Sequence, residues 1–310
     1  MIAAMRQQRR PVLEIAAELG RHRSTIYREV KRNATPHDGA YRPSMAVEMT
    51  NGRRSRSRRN ARYGPRQFKR IETLLRRDWS PAQVVGSLRR KSHRVMSHET
   101  IYLWIWADKA RGGSLWEHLR GAGKRRRKRY GRNDSRGRLA GKRPIQDRPA
   151  IVGRRGRLGD WEGDTVRGRG KPCVVTTVER KSGFVRIGVL PSATVAHTNE
   201  RIVELLRSEP HPVRTITTDN GTEFHGYRDF ERELGTTVYF ATPHHAWERG
   251  TSENTNGLIR QYLPKGTHLG HLTQADCARI AAKLNARPRK RLGFRTPQEV
   301  YYRSARRTRR

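Results

Sequence analysis

The chain has 310 residues, enough for about two or three domains, and its 34% of hydrophobic residues is low for one large globule. Lysine and arginine number 68 against 28 acidic residues, and the formal net charge of +40 favours a polyanionic partner such as nucleic acid. Neither export nor membrane insertion is indicated, because the sequence lacks an apolar run of about eighteen residues, an apolar signal segment and a disulfide framework.

Residues 11–33 have the pattern of a helix-turn-helix. We expect Gly20 to end the first helix and Ser24 to cap the second. The apolar positions predicted to face inward are Ile15, Ala16 and Leu19 in the first helix and Ile26 and Val30 in the second. The opposite face of the second helix can enter a DNA groove, and the predicted DNA contacts are Arg23, Ser24, Thr25, Tyr27 and Arg28. This unit is assigned to residues 1–50, with an ordinary helical hairpin as the alternative.

A second unit of the same kind is predicted within residues 71–120. Ser80 followed by Pro81 is the preferred order at the start of a helix, and Ser97 begins another. The second helix of this unit can also face DNA, and its predicted contacts are His98 and Thr100.

Two basic segments separate these units from each other and from the rest of the chain. Residues 51–70 are rich in Arg, Ser and Asn without an apolar period, which predicts a flexible tether that binds phosphate. Residues 121–150 include an unbroken basic run at positions 124–129 and are predicted to link to the last domain. A solvated tail without a specific role is the alternative for this second segment.

From residue 158 onward the sequence changes to β segments separated by short turns. The predicted elements are strands at 161–166, 172–179 and 184–190, a helix at 199–207, a strand at 213–218, a helix at 227–234, a strand at 236–241 and a helix from 253 to about 263. Thr251 or Ser252 is the predicted cap of that last helix. This order is typical of the ribonuclease-H-like fold. We therefore predict an α/β chain in which a ribonuclease-H-like, retroviral-integrase-like catalytic domain at residues 151–310 follows all-α helix-turn-helix DNA-binding units.

Three acidic residues in distinctive surroundings resemble the triad of a nuclease that cuts and joins strands: Asp164, Asp219 and Glu253. Asp164 lies on the first, central strand and Asp219 at the end of the adjacent fourth strand, while Glu253 approaches from a movable helix. Carboxylates supply the hard oxygen ligands that a pair of Mg²⁺ or Mn²⁺ ions prefers. Asp160 and Glu162 lie on the same side of the strand as Asp164 and are the competing ligands.

Four sequence blocks carry a family resemblance: residues 159–165, 218–224, 253–266 and 284–290. On these blocks the chain resembles transposases of the insertion-sequence-thirty (IS30) family of bacterial mobile elements over nearly its whole length. The resemblance implies an Asp-Asp-Glu triad at Asp164, Asp219 and Glu253, an integrase-like core, and amino-terminal binding to terminal inverted repeats. Family members usually carry a fuller helix before the first helix-turn-helix than residues 1–5 provide, so we expect a truncated or misassigned start. Residues 244–246 also depart from the Tyr-Ser-Pro segment that the family leads us to expect.

Several residues near the three acidic residues in the sequence are further candidates for DNA binding or for orienting the triad. Arg260 lies two helical turns beyond Glu253 and is predicted to hold a DNA phosphate, and Lys265 in the same block is a further predicted DNA contact. Asn220 and Asn254 can orient the triad or contact DNA, or simply belong to a turn and a helix start.

Aromatic residues and histidines near the triad have a simpler interpretation. Trp161 and Trp247 are predicted to be core residues rather than residues that stack on bases. Cys173 and Cys277 are predicted to be reduced core residues. A metal role for the pair His244 and His245 is a minor alternative, because the sequence offers no second ligand cluster.

The sequence thus predicts a DNA transposase that uses Mg²⁺ or Mn²⁺, two ions expected, and binds double-stranded DNA at element ends and target. A multimer is expected, because two ends must be brought together, and the bacterial cytoplasm, in association with the nucleoid, is the expected location. A helix-turn-helix repressor with an inactive nuclease-like domain is the alternative. A ribonuclease acting on RNA–DNA hybrids is disfavoured by the two predicted duplex-binding units, and a basic RNA-binding protein of the ribosomal kind by the ordered carboxylates.

Overall fold

Two units, Met1–Arg66 and Gln67–Arg310, make up the computed structural model, which describes residues 1–57, 63–121, 141–243 and 245–307. The first unit is helical, with α1 (Ile2–Gln7), α2 (Val12–Glu18), α3 (Arg23–Asn33) and α4 (Pro43–Ser57). The second unit begins with helices and continues into a five-stranded sheet covered by helices.

Helices α2 and α3 form the predicted helix-turn-helix. Met5 of α1 packs with the buried side chains of Ile15, Ala16 and Ile26, so a helix does precede α2 and contributes to the small core. Gly20 adopts a φ of +60° just after α2, a conformation that glycine reaches without steric cost.

Two local predictions in this unit were wrong. The cap of α3 is His22, whose Nδ1 accepts a hydrogen bond from the Ser24 backbone N–H at 3.3 Å, so Ser24 lies inside the helix. The basic tether was predicted to lack regular structure, yet α4 continues through its first part to residue 57. Arg53 within that part donates to the Arg32 carbonyl of α3 at 3.0 Å, which holds the helix against α3, and to Thr50 Oγ1 within α4 at 3.1 Å. Residues 58–62 of the tether lie outside the described residues.

The second helix-turn-helix-like group consists of α5 (Pro65–Leu75), α6 (Pro81–Arg90) and α7 (His98–Ala110). Both predicted helix starts are confirmed: Ser80 forms a capping box with Gln83, and Ser97 Oγ accepts from the Thr100 backbone N–H at 3.2 Å. Of the predicted linker, residues 122–140 lie outside the described part of the chain.

The sheet confirms the ribonuclease-H-like arrangement. Its strands are β1 (Asp160–Arg167), β2 (Cys173–Glu179), β3 (Val185–Leu190), β4 (Thr215–Thr218) and β5 (Thr237–Phe240), in the order β3-β2-β1-β4-β5. The first three strands form an antiparallel meander, and β4 and β5 run parallel to β1. The remaining helices are α8 (Ala150–Gly153), α9 (Val195–Leu206), α10 (Tyr227–Leu234), α11 (Gly250–Ile259), α12 (Gln274–Asn285) and α13 (Pro297–Arg307).

Two apolar clusters fill the two faces of this sheet. Trp161 and Ile216 belong to the cluster that packs with α9 and α10, whereas Val166 and Val174 pack with Leu258 and other residues of α11 and α12. Because side chains alternate along a strand, Asp164 lies on the same face as Val166, toward α11. Both cysteines are buried and reduced, as predicted.

The α5–α7 group packs directly on the integrase-like part of the second unit. Asp78, between α5 and α6, accepts hydrogen bonds at 2.9 Å from the Tyr262 hydroxyl and from His118, and its carboxylate lies 3.6 Å from Lys283 Nζ. Burial alone would raise the pKa of Asp78, but these partners hold it below its usual value. Since Tyr262 closely follows α11, this carboxylate fixes the far end of α11 to the helical group. Among the described residues no helix is both long and apolar enough to cross a bilayer.

Candidate active site

Asp164 and Asp219, two of the three predicted acidic residues, lie next to each other. In the parallel pairing of β1 and β4, Glu162 lies opposite Thr217, so Asp164, within β1, and Asp219, just after the end of β4, each follow two residues later on adjacent strands. Both side chains are partly shielded, with exposed fractions of 19% and 28%. Rigid, neighbouring strands thus aim two carboxylates at one point, as the sequence predicted.

One arginine bridges this pair of carboxylates. Arg249 Nη1 lies 3.3 Å from Asp164 Oδ2, and its Nη2 lies 3.3 Å from Asp219 Oδ2. The same Nη1 donates to the Gly163 carbonyl at 3.2 Å, and the side chain is only 14% exposed. Arg249 was not predicted from the sequence, although it stands only four residues before Glu253.

Asn256 of α11 fixes the orientation of Asp164. Its Nδ2 donates to Asp164 Oδ2 at 2.8 Å, while its Oδ1 accepts from Thr176 Oγ1 of β2 at 3.2 Å. The other oxygen of Asp164 accepts from the Thr165 backbone N–H at 2.8 Å. This role of Asn256 was also missed, and its only local signal is a helical spacing of three residues from Glu253.

Burial raises the pKa of Asp164 to about 6. Arg249 counteracts this rise, and the negative charge of Asp219 adds to it. Holding the two carboxylates close together in a shielded site therefore costs free energy, and a bound cation would offset that cost. Carboxylate oxygens around a shared cation are the donor set that Mg²⁺ and Mn²⁺ prefer, so the two aspartates fit such an ion.

Glu253 does not join the two aspartates in this arrangement. It lies in the first turn of α11 with an exposed side chain. In the part of the chain that the structure describes, no three Asp, Glu, His or Cys side chains are grouped closely enough to hold a metal ion. A site made of all three residues thus requires that the Glu253 side chain change its position relative to the two aspartates.

The two competing acidic residues have structural roles. Asp160 accepts from Arg157 Nε at 3.0 Å and from Thr215 Oγ1 at 2.9 Å. Glu162 is fully buried, forms an ion pair with Arg180 and accepts from the Ser252 backbone N–H at 2.7 Å. Neither residue contacts Arg249, whereas Asp164 shares that arginine with Asp219, and this distinguishes Asp164 from both of them.

The predicted side-chain caps of α11 were wrong. The helix begins at Gly250 without a side-chain cap, and Glu162 on β1 satisfies a backbone N–H of its first turn. Thr251 Oγ1 instead accepts from Arg155 at 3.2 Å. The helix also ends earlier than predicted, at Ile259, and Pro264 follows the turn beyond it.

The other predicted neighbours divide into structural and exposed residues. Asn220 donates to the Ala241 carbonyl at 2.7 Å and so ties the turn after β4 to the end of β5, whereas Asn254 is exposed. Arg260, at the end of α11, is partly buried and donates to the Leu263 carbonyl at 3.4 Å, and Lys265 is exposed.

The two tryptophans differ. Trp161 is fully buried in the core, as predicted, but the core prediction for Trp247 was wrong, because this side chain is 71% exposed. Its ring stacks on His245 with centroids 4.3 Å apart, and His245 lies 3.4 Å from Glu248. His244 lies outside the described residues.

The predicted DNA contacts of the helical units lie on the outer sides of their helices. On α3, four of them are exposed, Arg23, Thr25, Tyr27 and Arg28, and Ser24 is partly buried. On α7, His98 is exposed beside Glu99 at 2.9 Å, and Thr100 is partly buried at the helix start.

Comparison with known proteins agrees with this architecture. The model of a helix-turn-helix domain matches residues 1–33, and that of an integrase core domain matches residues 155–246. The transposase for insertion sequence element IS4351 of Bacteroides fragilis is 41% identical over 288 residues, which is 93% of this chain and 88% of that protein. The transposase for IS1086 of Cupriavidus metallidurans is 38% identical over 92% of this chain and 87% of that protein.

A third relative and one solved structure extend the comparison. Transposase InsI for IS30A of Escherichia coli is 37% identical over 92% of this chain and 77% of that protein. The catalytic core domain of BIV integrase aligns with a TM-score of 0.39 and 23% identity, covering 49% of this chain and 99% of that one. From the identities and coverage of the transposases, the chain belongs to the family of insertion-sequence transposases that includes that of IS30.

Proposed function

We propose that this chain binds the terminal inverted repeats of its own insertion sequence and cuts and joins DNA strands with divalent cations held by Asp164, Asp219 and Glu253. The observation that carries the proposal is the pair of shielded aspartates on adjacent parallel strands, which already share one cationic partner, Arg249. Burial is the main cause of the raised pKa of Asp164 and the negative charge of Asp219 adds to it, and a shielded carboxylate perturbed in this way is typical of a functional site.

Each part of the site has a distinct task in this reaction. The strands hold Asp164 and Asp219, Asn256 orients Asp164, and α11 supplies Glu253 by moving its first turn. Bound Mg²⁺ or Mn²⁺ would supply activation of the attacking hydroxyl and stabilisation of the leaving oxygen in an in-line displacement at phosphorus. The exposed basic surface of α3 and the net charge of +40 favour DNA binding.

A plasmid assay tests the catalytic proposal. Supercoiled DNA carrying the candidate ends is incubated with the protein and Mg²⁺ or Mn²⁺, and nicked, linear and joined products are separated. Asp164→Asn, Asp219→Asn and Glu253→Gln should each lower cleavage and joining by about a thousandfold or more, because cation coordination contributes several kcal/mol in the transition state. DNA binding should remain close to that of the unaltered protein.

A matched control uses a carboxylate away from the site. Glu204→Gln removes a half-exposed acidic group on α9, on the opposite face of the sheet, and should leave both activities unchanged. If the three site variants lose DNA binding and cleavage equally, the triad assignment fails. If the unaltered protein binds the ends but yields no cut product with either ion, the repressor interpretation replaces it.

End recognition is tested separately from chemistry. Arg28→Ala on α3 should weaken binding to duplexes carrying the ends by about tenfold when measured against competitor DNA. The salt dependence should be steep, because phosphate contacts release counterions. A multimer is proposed because two ends must meet, and sedimentation of the protein with end-bearing duplexes should show more than one chain in each complex.

A further inference from the structure

Arg249 bridges the two aspartates that would hold a metal ion. Both of its contacts are to the Oδ2 atoms, one on Asp164 and one on Asp219, at the same distance of 3.3 Å. Asp164 Oδ1 and Asp219 Oδ1 accept instead from backbone N–H groups of Thr165 and Gly221. The guanidinium therefore contacts both Oδ2 atoms, and Asp164 Oδ2 also accepts from Asn256 Nδ2 at 2.8 Å.

A divalent cation and this guanidinium are mutually exclusive at that position. A divalent cation held by Asp164 and Asp219 would meet the positive charge of Arg249 in a shielded site, so the ion and the guanidinium would compete for the same two carboxylates. Binding of the ion therefore requires that Arg249 leave both aspartates.

Arg249 is placed where it can leave. It ends the short 3-10 helix Ala246–Arg249 directly before α11, and its long side chain reaches the aspartates from outside the sheet, so that it can leave them without a shift of either strand. Glu253 follows four residues later, about one helical turn along. A shift of this segment that withdraws Arg249 therefore also changes the position of Glu253 relative to the strands.

We propose that Arg249 is an ionic latch, which occupies the metal position of the DNA-free protein and is transferred to a DNA phosphate when divalent cations bind. The inference rests on the proposed function, because it assumes that Asp164 and Asp219 are metal ligands. A phosphate is the partner that suits the released side chain, since a guanidinium forms paired hydrogen bonds to phosphate oxygens. The latch makes cation binding and DNA binding cooperative.

Calorimetric titration of Mn²⁺ into the 310-residue chain without DNA tests the latch. Arg249→Gln should bind Mn²⁺ about tenfold more tightly than the unaltered protein, or more, because no cation has to be displaced. Arg249→Lys keeps the charge but has no planar fork to bridge both aspartates, so its affinity should lie between the two. Adding Asp164→Asn to Arg249→Gln should abolish the gain, which locates the ion at this site.

A nearby arginine serves as the control for charge alone. Arg167 is 61% exposed and pairs with Glu223, not with either aspartate, so Arg167→Gln removes a local positive charge without opening the latch. Its Mn²⁺ affinity should stay within about twofold of that of the unaltered protein. Circular dichroism verifies that each variant is folded. If Arg249→Gln does not fold, the Mn²⁺ affinity of Arg249→Lys is compared with that of the unaltered protein instead.

The result that overturns the latch is a Mn²⁺ affinity of Arg249→Gln equal to or below that of the unaltered protein, or a gain no larger than that of Arg167→Gln. The plasmid assay with Asp164→Asn would still decide the catalytic proposal. A short nonspecific duplex should raise Mn²⁺ affinity more for the unaltered protein than for Arg249→Gln. Equal effects on the two proteins would overturn the transfer to phosphate.

Discussion

Replacement of Asp164 by Asn should make the metal-free protein more stable while it removes cleavage. A rise of the Asp164 pKa from 3.8 to about 6 corresponds to about 3 kcal/mol, at about 1.36 kcal/mol for each pH unit. The amide has nearly the same shape and keeps one oxygen that accepts from Asn256 or Arg249, but it carries no charge to desolvate. We therefore expect Asp164→Asn to raise the free energy of unfolding by up to about 3 kcal/mol at pH 8.

The stability difference between the variant and the unaltered protein should depend on pH in one direction. A carboxyl group whose pKa is higher in the folded than in the unfolded protein contributes stability below about 3.8, and that contribution is lost as the pH rises through about 6. The advantage of the variant should thus be largest above pH 6 and smaller at pH 5. Urea unfolding followed by circular dichroism at pH 5 and pH 8, without divalent ions, measures the difference.

Two outcomes would refute the reasoning. One is a variant that is less stable than the unaltered protein at pH 8, which would mean that its contacts to Arg249 and Asn256 outweigh the cost of burying the charge. The other is a difference that is the same at both pH values, which would mean that the ionisation of Asp164 is not its cause. Glu204→Gln, in which a half-exposed carboxylate is replaced, is the matched control and should show little change at either pH.

Three further predictions follow from individual contacts. Asn256→Ala should lower cleavage about tenfold to a hundredfold with DNA binding retained, because Asp164 loses the donor that orients it; unchanged cleavage in the plasmid assay would argue against this role. Trp247→Ala should leave thermal stability unchanged, since the ring is 71% exposed, but should weaken binding to DNA with unpaired bases by about 1–3 kcal/mol; equal loss on fully paired duplexes would contradict base stacking. Asp78→Ala should lower the free energy of unfolding by about 2–3 kcal/mol in urea titrations, because it leaves the Tyr262 hydroxyl and neighbouring cations without their shared acceptor, and an unchanged midpoint would refute that estimate.

Local signals in the sequence determined the elements and most of their order. Alternating apolar residues and turn residues placed the five strands within about two residues of their ends, because strand and turn preferences depend on neighbouring residues. The Ser80-Pro81 start of α6 was equally local. The acidic motifs pointed to Asp164 and Asp219, and the order of strands was enough to put them side by side.

Only the tertiary structure decided how these residues are used. From the sequence, Asp160, Glu162 and Asp164 lie on one side of a strand and are competing candidates. Their partners in the folded chain differ. Glu162 pairs with Arg180 and accepts a hydrogen bond from the start of α11, whereas Asp164 contacts Arg249 and Asn256. These partners lie far from β1 in the sequence, where no helical or strand periodicity links them. The pairing of β1 with β2 brings Arg180 to Glu162, and the packing of α11 across the sheet brings Arg249 and Asn256 to Asp164. The burial that shifts the pKa of Asp164 exists only once that packing has formed.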